Sequence, residues 1–367
     1  MPHNLKARLG RYRDTTQTKE RLPKNSIGSD AWPGWTEAGF KTLKRDLSLE
    51  LNAPLPNSFS PALAILVPDL FRINRIPQPK ELLFFDLETS GLSGGAGTLA
   101  FLAAFGRITS TAKNGNGRLK LTQYLLLDYP GECDFVELLV KEFASPPSLV
   151  VSYNGKSFDA QILNNRCLMN RIPPPELFHV DLLHPARRLW KRLLSDCSQS
   201  TVEVSVLGLD RTGDISGAMA PDIWFSFLRH GENSELLSVC EHNVKDIKGL
   251  AALFLAMGEI AEEPLGSQFR FDKGALALYW NKVLRKNPVF FRDYKDLSKT
   301  GQLLLDGAAR SGHVQAAVAL AIDAEWRQKD PVLALRYTNL ALAGSELVDK
   351  LKCDLKKRLR RLEGKIK

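Results

Sequence analysis

Three apolar, β-compatible segments follow one another between residues 81 and 128, and no other feature of the chain restricts its fold so strongly. Glu81–Asp86 contains "LLFF" and comes after the punctuating "IPQPK"; Thr98–Ile108 and Leu119–Asp128 follow, with the hairpin signal "KNGNG" at 113–117 between them. Consecutive strands with short links predict an antiparallel meander. The pattern then alternates: helix over Glu132–Phe143, buried strand Leu149–Tyr153, helix Ser157–Met169, strand Phe178–Leu183, helix Pro185–Leu194 and a long helix Glu235–Met257. Three antiparallel strands followed by α-β-α-β-α define an α/β layout with a mixed sheet.

This layout is expected to fill residues 80–262, preceded by an irregular extension over 1–79 with one short helix near Pro61–Phe71. A linker over 263–295 would lead to a helical tail, 296–367, in which strand patterns cease and two short helices meet around Ser311-Gly312 before two more. Paired helices of this kind look TPR-like, although no second copy recurs at a fixed period. A length of 367 residues suits two domains and a tail.

The net charge of +9 is concentrated at the ends: residues 1–25 carry seven Lys/Arg against two acids, and residues 351–367 carry eight against two. Such ends favour polyanion partners such as nucleic acid, and they also keep a protein dissolved. Five scattered cysteines without a CxxC pair argue against a disulfide framework and a zinc site, and fit a reducing, cytoplasmic setting. The longest apolar run, residues 250–257, falls far short of the roughly 20 residues of a membrane helix. The opening "MPHNLKARLG" has no apolar signal core.

Within "LLFFDLETSGLSGGAGTLAF" two functional readings compete. The glycines contain no Lys and lead into a strand, so they match neither a Walker loop nor a dinucleotide fingerprint, both of which open a helix. They read as a turn. Asp86 and Glu88, at i and i+2 of a strand, aim at one face. Alone they would be two solvated acids at a strand exit. Asp159, in "YNGKSFDAQIL", sits in the first helical turn after a buried strand, where an acid complements the helix dipole but where α/β active sites also gather. In "VCEHNVKDIKGLAALF", at 100° per residue, Asp246 falls inside the border of the apolar side, with His242 one turn earlier on the same side. An inward acid needs a cation, and no basic residue within a turn serves it. Four carboxylates at one sheet edge, repelling by about 4 kcal/mol per pair at 4 Å, call for divalent metal, and hard oxygen ligands select Mg²⁺ or Mn²⁺.

"FFDLETSGL", "YNGKSFDAQIL" and "EHNVKDI" resemble the three exonuclease motifs of the DEDD superfamily on a ribonuclease-H-like fold. With "HVDLLHPARRLW" and "VLGLDRTGDISG" they look more narrowly like the bacterial YprB-type domain, over roughly Glu81–Glu262. The resemblance implies a 3′→5′ exonuclease acting on DNA or RNA, with two Mg²⁺ or Mn²⁺ ions on Asp86, Glu88, Asp159 and Asp246. His242 would orient or deprotonate the attacking water, although His242-x3-Asp246 departs from the family's H-x4-D and Y-x3-D forms by placing a His at the Tyr spacing. Asn154 and Phe158 are candidate substrate contacts, Leu92 could pack on a terminal base, and Asp181 either supports the site or pairs with Arg187 or Arg188. The competing readings are a nucleic-acid-binding module that does not cleave, and an adaptor that docks a protein partner through the helical tail.

Overall fold

The computed structural model describes residues 32–91, 97–111, 116–144, 149–344 and 347–366, without the side chains of Asn52, Arg72, Ser110 and Thr111. The chain divides into two compact units, Met1–Trp35 and Thr36–Lys367. In the described part of the first, the Trp35 N–H donates to the Trp32 carbonyl at 3.1 Å. The second carries every strand and helix that follows.

Its strands are β1 (Thr36–Gly39), β2 (Thr42–Pro54), β3 (Leu82–Thr89), β4 (Ala100–Thr111), β5 (Asn116–Leu126), β6 (Leu149–Ser152) and β7 (Phe178–Asp181). They form one sheet in the order β1-β2-β5-β4-β3-β6-β7. The neighbours from β1 to β3 are antiparallel, and β6 and β7 continue parallel to β3. The expected meander β3-β4-β5 is therefore the centre of a larger sheet. The segment expected to be irregular supplies two further strands, β2 pairing with β5 from Thr42↔Leu126 to Glu50↔Arg118. Their pattern is physical: Leu43, Leu47, Leu49 and Leu51 alternate with Lys44, Asp46, Ser48 and Glu50, the period-two signature of a half-buried strand.

The helices are α1 (Leu63–Leu66), α2 (Glu132–Ala144), α3 (Asp159–Met169), α4 (Leu183–Trp190), α5 (Gln199–Val202), α6 (Ala220–His230), α7 (Ser234–Glu262), α8 (Lys273–Lys286), α9 (Lys295–Arg310), α10 (Val314–Asp323), α11 (Pro331–Leu342) and α12 (Asp349–Ile366). The presumed linker thus contains α8, whose Leu276, Ala277 and Trp280 are buried. The tail is the four helices α9 to α12.

Alternation along β3 fixes the two layers. Phe84 meets Phe254 of α7 edge-on at 6.2 Å, and Phe85 meets Phe143 of α2 at 5.0 Å. The even-numbered residues of β3 therefore face α7. Gly106 on β4 brings that helix close: a Cβ there would lie 2.6 Å from Ile247 Cγ2. The close approach of α7 sets Asn243, His242 and Asp246 over the end of β3.

Candidate active site

Asp86 and Glu88 follow Phe84 on the α7 face of β3. Across the sheet Asp86 pairs with Ala104, Ala104 with Gln123 and Gln123 with Arg45, so four strands contribute one row of side chains. The small Ala104 leaves the row open above it, and Asn243 of α7 bridges the gap. Its Nδ2 donates to Asp86 Oδ2 at 2.7 Å, while its Oδ1 accepts from Gln123 Nε2 at 2.9 Å. Arg45 in turn donates to Gln123 Oε1 at 2.6 Å and to Glu241 Oε1 at 2.7 Å. Asn243 is fully buried with both amide ends used, which fixes its orientation and hence that of Asp86.

Asp159 arrives through the Asn-Gly turn that joins β6 to α3. Asn154 has the left-handed φ of 65° that asparagine tolerates. Gly155 is required by space, since a Cβ would lie 2.4 Å from Ser152 Oγ and 2.8 Å from Asp159 Oδ2. Asp181 holds this turn: its carboxylate accepts from the backbone N–H groups of Asn154 (2.8 Å), Lys156 (3.2 Å) and Leu183 (3.0 Å). Of the two roles open to Asp181, the structure thus shows the supporting one. Burial pushes the Asp159 carboxyl up to about 7, and the charge of Asp181 adds to the shift.

Asp246 has the cation that its own helix lacks. Arg211, from the loop before α6, donates Nη2 to Asp246 Oδ1 at 2.6 Å, Nε to Glu203 Oε2 at 2.8 Å and Nη1 to Asp214 Oδ2 at 2.7 Å. Burial alone would lower the Arg211 pKa, but Asp246 and Glu203 outweigh it and hold the guanidinium charged. His242 completes the group, with Nε2 3.3 Å from Asp246 Oδ2. Its Nδ1 lies 3.0 Å from Asp214 Oδ2, in ion-pair range but off the angle of a hydrogen bond. Sequence reasoning singled out none of Arg211, Glu203 and Asp214. "VLGLDRTGDISG" carries two of them, yet nothing in its spacing reveals where Arg211 reaches.

Asp86, Glu88, Asp159 and Asp246 all line one cavity of about 230 Å³, together with His242, Asn154 and Phe158. Leu92 lies outside the described residues. Burial raises Asp86 well above the ordinary carboxylate range, and repulsion from Asp246, Asp159 and Glu88 adds to it. Glu88 is raised likewise, by burial and then by Asp246, Asp159 and Asp214. Of Asp86, Glu88, Asp159 and Asp246, Arg211 pairs with Asp246 alone. The remaining negative charge, carried on hard oxygen donors, fits a divalent cation, and a ligand atom each from Glu88, His242 and Asp246 lie within 4.8 Å of one another.

The fold is ribonuclease-H-like: residues 83–257 match the RNase_H superfamily. The uncharacterized protein YprB of Bacillus subtilis (strain 168) is 36% identical over 181 residues, which make up 48% of this chain and 42% of that protein. The match therefore spans less than half the length of that curated relative. Among solved structures, the family B DNA polymerase from the hyperthermophilic archaeon Pyrobaculum calidifontis is similar at a TM-score of 0.35 and 15% identity, over 57% of this chain and 30% of that one. Among the described residues no helix is long and apolar enough to cross a membrane.

Proposed function

We propose that this chain is a metal-dependent nuclease that hydrolyses phosphodiester bonds of DNA or RNA, working as a 3′→5′ exonuclease. The observation that carries the reading is the convergence of Asp86, Glu88, Asp159 and Asp246, from three separate elements, on one cavity beside His242. Carboxylates gathered in one small space are what a two-metal phosphoryl-transfer site uses to hold its ions.

The four carboxylates would hold two ions, Mg²⁺ or Mn²⁺, which when bound supply Lewis-acid stabilisation of the phosphate and a more acidic water. The protein's own residues do the rest. Asn243 fixes Asp86 and the Asp181-bound turn fixes Asp159. In the hydrolysis a water oxygen bonds to phosphorus, the bond to the 3′ oxygen breaks, and the water proton passes to His242 Nε2. The departing alkoxide takes its proton from solvent. Asp214 beside Nδ1 stabilises the imidazolium so formed, the role of a carboxylate behind a catalytic histidine. The helical i,i+4 step brings His242 Nε2 to 3.3 Å from the Asp246 carboxylate, so the unusual spacing still sets the two side by side. Phe158 and Asn154 line the same cavity, placed to stack on a base and to contact the terminal nucleotide.

The Arg211–Asp246 pair favours one alternative, a nucleic-acid-binding module that keeps the fold without cleaving, because a resident guanidinium there competes with metal. The deciding test is a panel of end-labelled single- and double-stranded DNA and RNA with Mg²⁺ or Mn²⁺. Wild type should shorten at least one substrate from the 3′ end, and Asp86→Ala and Asp159→Ala should each lower the rate at least about 100-fold. Equal trace activity in all three proteins would sink the nuclease reading.

A further inference from the structure

Far along the chain from the cavity, one buried carboxylate gathers three cations. The Glu325 side chain is 1% exposed, in the π-helical turn Ala324–Gln328 that ends α10. From α12, Arg361 donates Nη2 to its Oε2 at 2.7 Å and Nε to its Oε1 at 3.1 Å, and Lys365 Nζ donates to Oε1 at 3.0 Å. Arg358 Nη1 lies 3.5 Å from Oε2 and is buried without a hydrogen bond. Three positive charges on one negative leave two in excess, held in place rather than waving on free side chains. Beside them Trp326 is 58% exposed, with the Arg361 guanidinium 5.8 Å and the Lys365 ammonium 5.5 Å from its ring centre. Leu355 and Leu362 are the buried residues of α12, while the exposed Lys357, Arg361 and Lys365 follow one another at i,i+4 steps, a row of about 12 Å.

We infer that this face of α12, with Trp326, binds a single strand of nucleic acid: a splayed base stacks on the indole, and the flanking cations take its phosphates. An apolar partner helix covering Trp326 would have to bury Arg361 and Lys365 with it, which costs more than the ring returns. A nucleic-acid strand offers an aromatic face and an anion together, and that is what the surface displays. Duplex DNA keeps its bases stacked and unavailable to the ring. The inference deepens the nuclease reading by naming a substrate contact outside the catalytic cavity.

The test is fluorescence anisotropy of a labelled 20-nucleotide oligo-dT or oligo-U in EDTA, where no cleavage is needed, so it can fail independently of the activity panel. Trp326→Ala should weaken binding about tenfold, and Trp326→Phe should restore it to within about threefold of wild type. Arg361→Gln with Lys365→Gln, which keeps hydrogen-bonding groups on Glu325, should reduce the slope of log K against log salt by about 1.4. Circular dichroism melts show whether α12 stays folded in each variant. Wild-type affinity and slope in all the variants overturn the inference, as does a wild type that binds neither strand. Equal displacement of the oligonucleotide by a glutamate-rich peptide of matching charge also overturns it, and points to an acidic protein segment.

Discussion

Asp159 is the residue where electrostatics and stability meet. Its carboxyl, raised to about 7 by burial and then by Asp181, is an acid that the folded protein prefers protonated. Below pH 4 it is neutral in both states and contributes nothing. Between the unfolded value near 4 and the folded one, the unfolded chain releases its proton first, so stability falls as pH rises, by up to about 4 kcal/mol, and levels off above 7. Asp86 and Glu88 are shifted in the same direction. In EDTA, therefore, Asp159→Asn should gain melting temperature over wild type, and the gap should widen from pH 5 to pH 8. Carboxylates held low, such as Asp214, titrate alike in both proteins and cancel. Adding Mn²⁺ at pH 8 should raise wild type more than the variant. A gap that stays constant with pH would contradict the assignment. At this scale Asp86, Glu88 and Asp246 could be singled out by a local period, i,i+2 in a strand or one face of a helix, and Asp159 by its place in the first helical turn after a buried strand. Arg211 was not, because it reaches Asp246 across 35 residues from a loop, where no period operates.

Two elements meet so closely at Gly249 that the helix has no room for a side chain. The π-helical turn Glu203–Leu207 presses Glu203 against α7, and a Cβ on Gly249 would lie 1.8 Å from Glu203 Oε1. Glu203 is fully buried and shares Arg211 with Asp246. Gly249→Ala would ordinarily add about 1 kcal/mol of helix propensity. Here it must displace a buried carboxylate from its guanidinium, so we expect a net loss of about 2–4 kcal/mol in urea titrations and weaker cleavage as Arg211 shifts. Gly364→Ala in α12, where nothing lies within 4 Å of the new Cβ, should be neutral or stabilising. Equal stability of the two variants would remove Glu203 from the account. The long helix was legible from its apolar arc, although it extends to Glu262. The contact that needs Gly249 was not, since a glycine in a helix can also be plain tolerance. β2 was legible in principle. Its alternation of leucine with charge is a strand signal, but a half-buried strand carries less apolar density than "LLFF", and it stood among prolines and glycines that suggest loops.

For the whole molecule, these overlooked pieces decide what can fold alone. The segment 80–262, read from the sequence as the α/β domain, lacks β2 and α8. Without β2, the edge of β5 is bare from Leu126 to Arg118, and the Arg45 hydrogen bonds to Gln123 are lost from the chain that orients Asp86. Without α8, Trp190 loses the backbone carbonyl of Arg270 just before that helix, and Arg188 loses the Tyr279 ring stacked 3.4 Å from its guanidinium. One hydrophobic core runs from Leu51 on β2 through Phe84 and Phe254 to Trp280 of α8 and to Leu304 and Leu320 of the tail helices. Each buried leucine or aromatic stranded by a cut removes roughly 1.5–3 kcal/mol, and a handful exceeds the 5–15 kcal/mol that hold a domain together. A fragment of residues 80–262 should therefore lack a cooperative melt and bind ANS. A fragment of residues 36–367, which retains the sheet edge and the whole core, should melt cooperatively and keep the cavity chemistry. A sharp thermal transition in the shorter fragment, with cleavage intact, would show that the site stands on the meander and α7 alone.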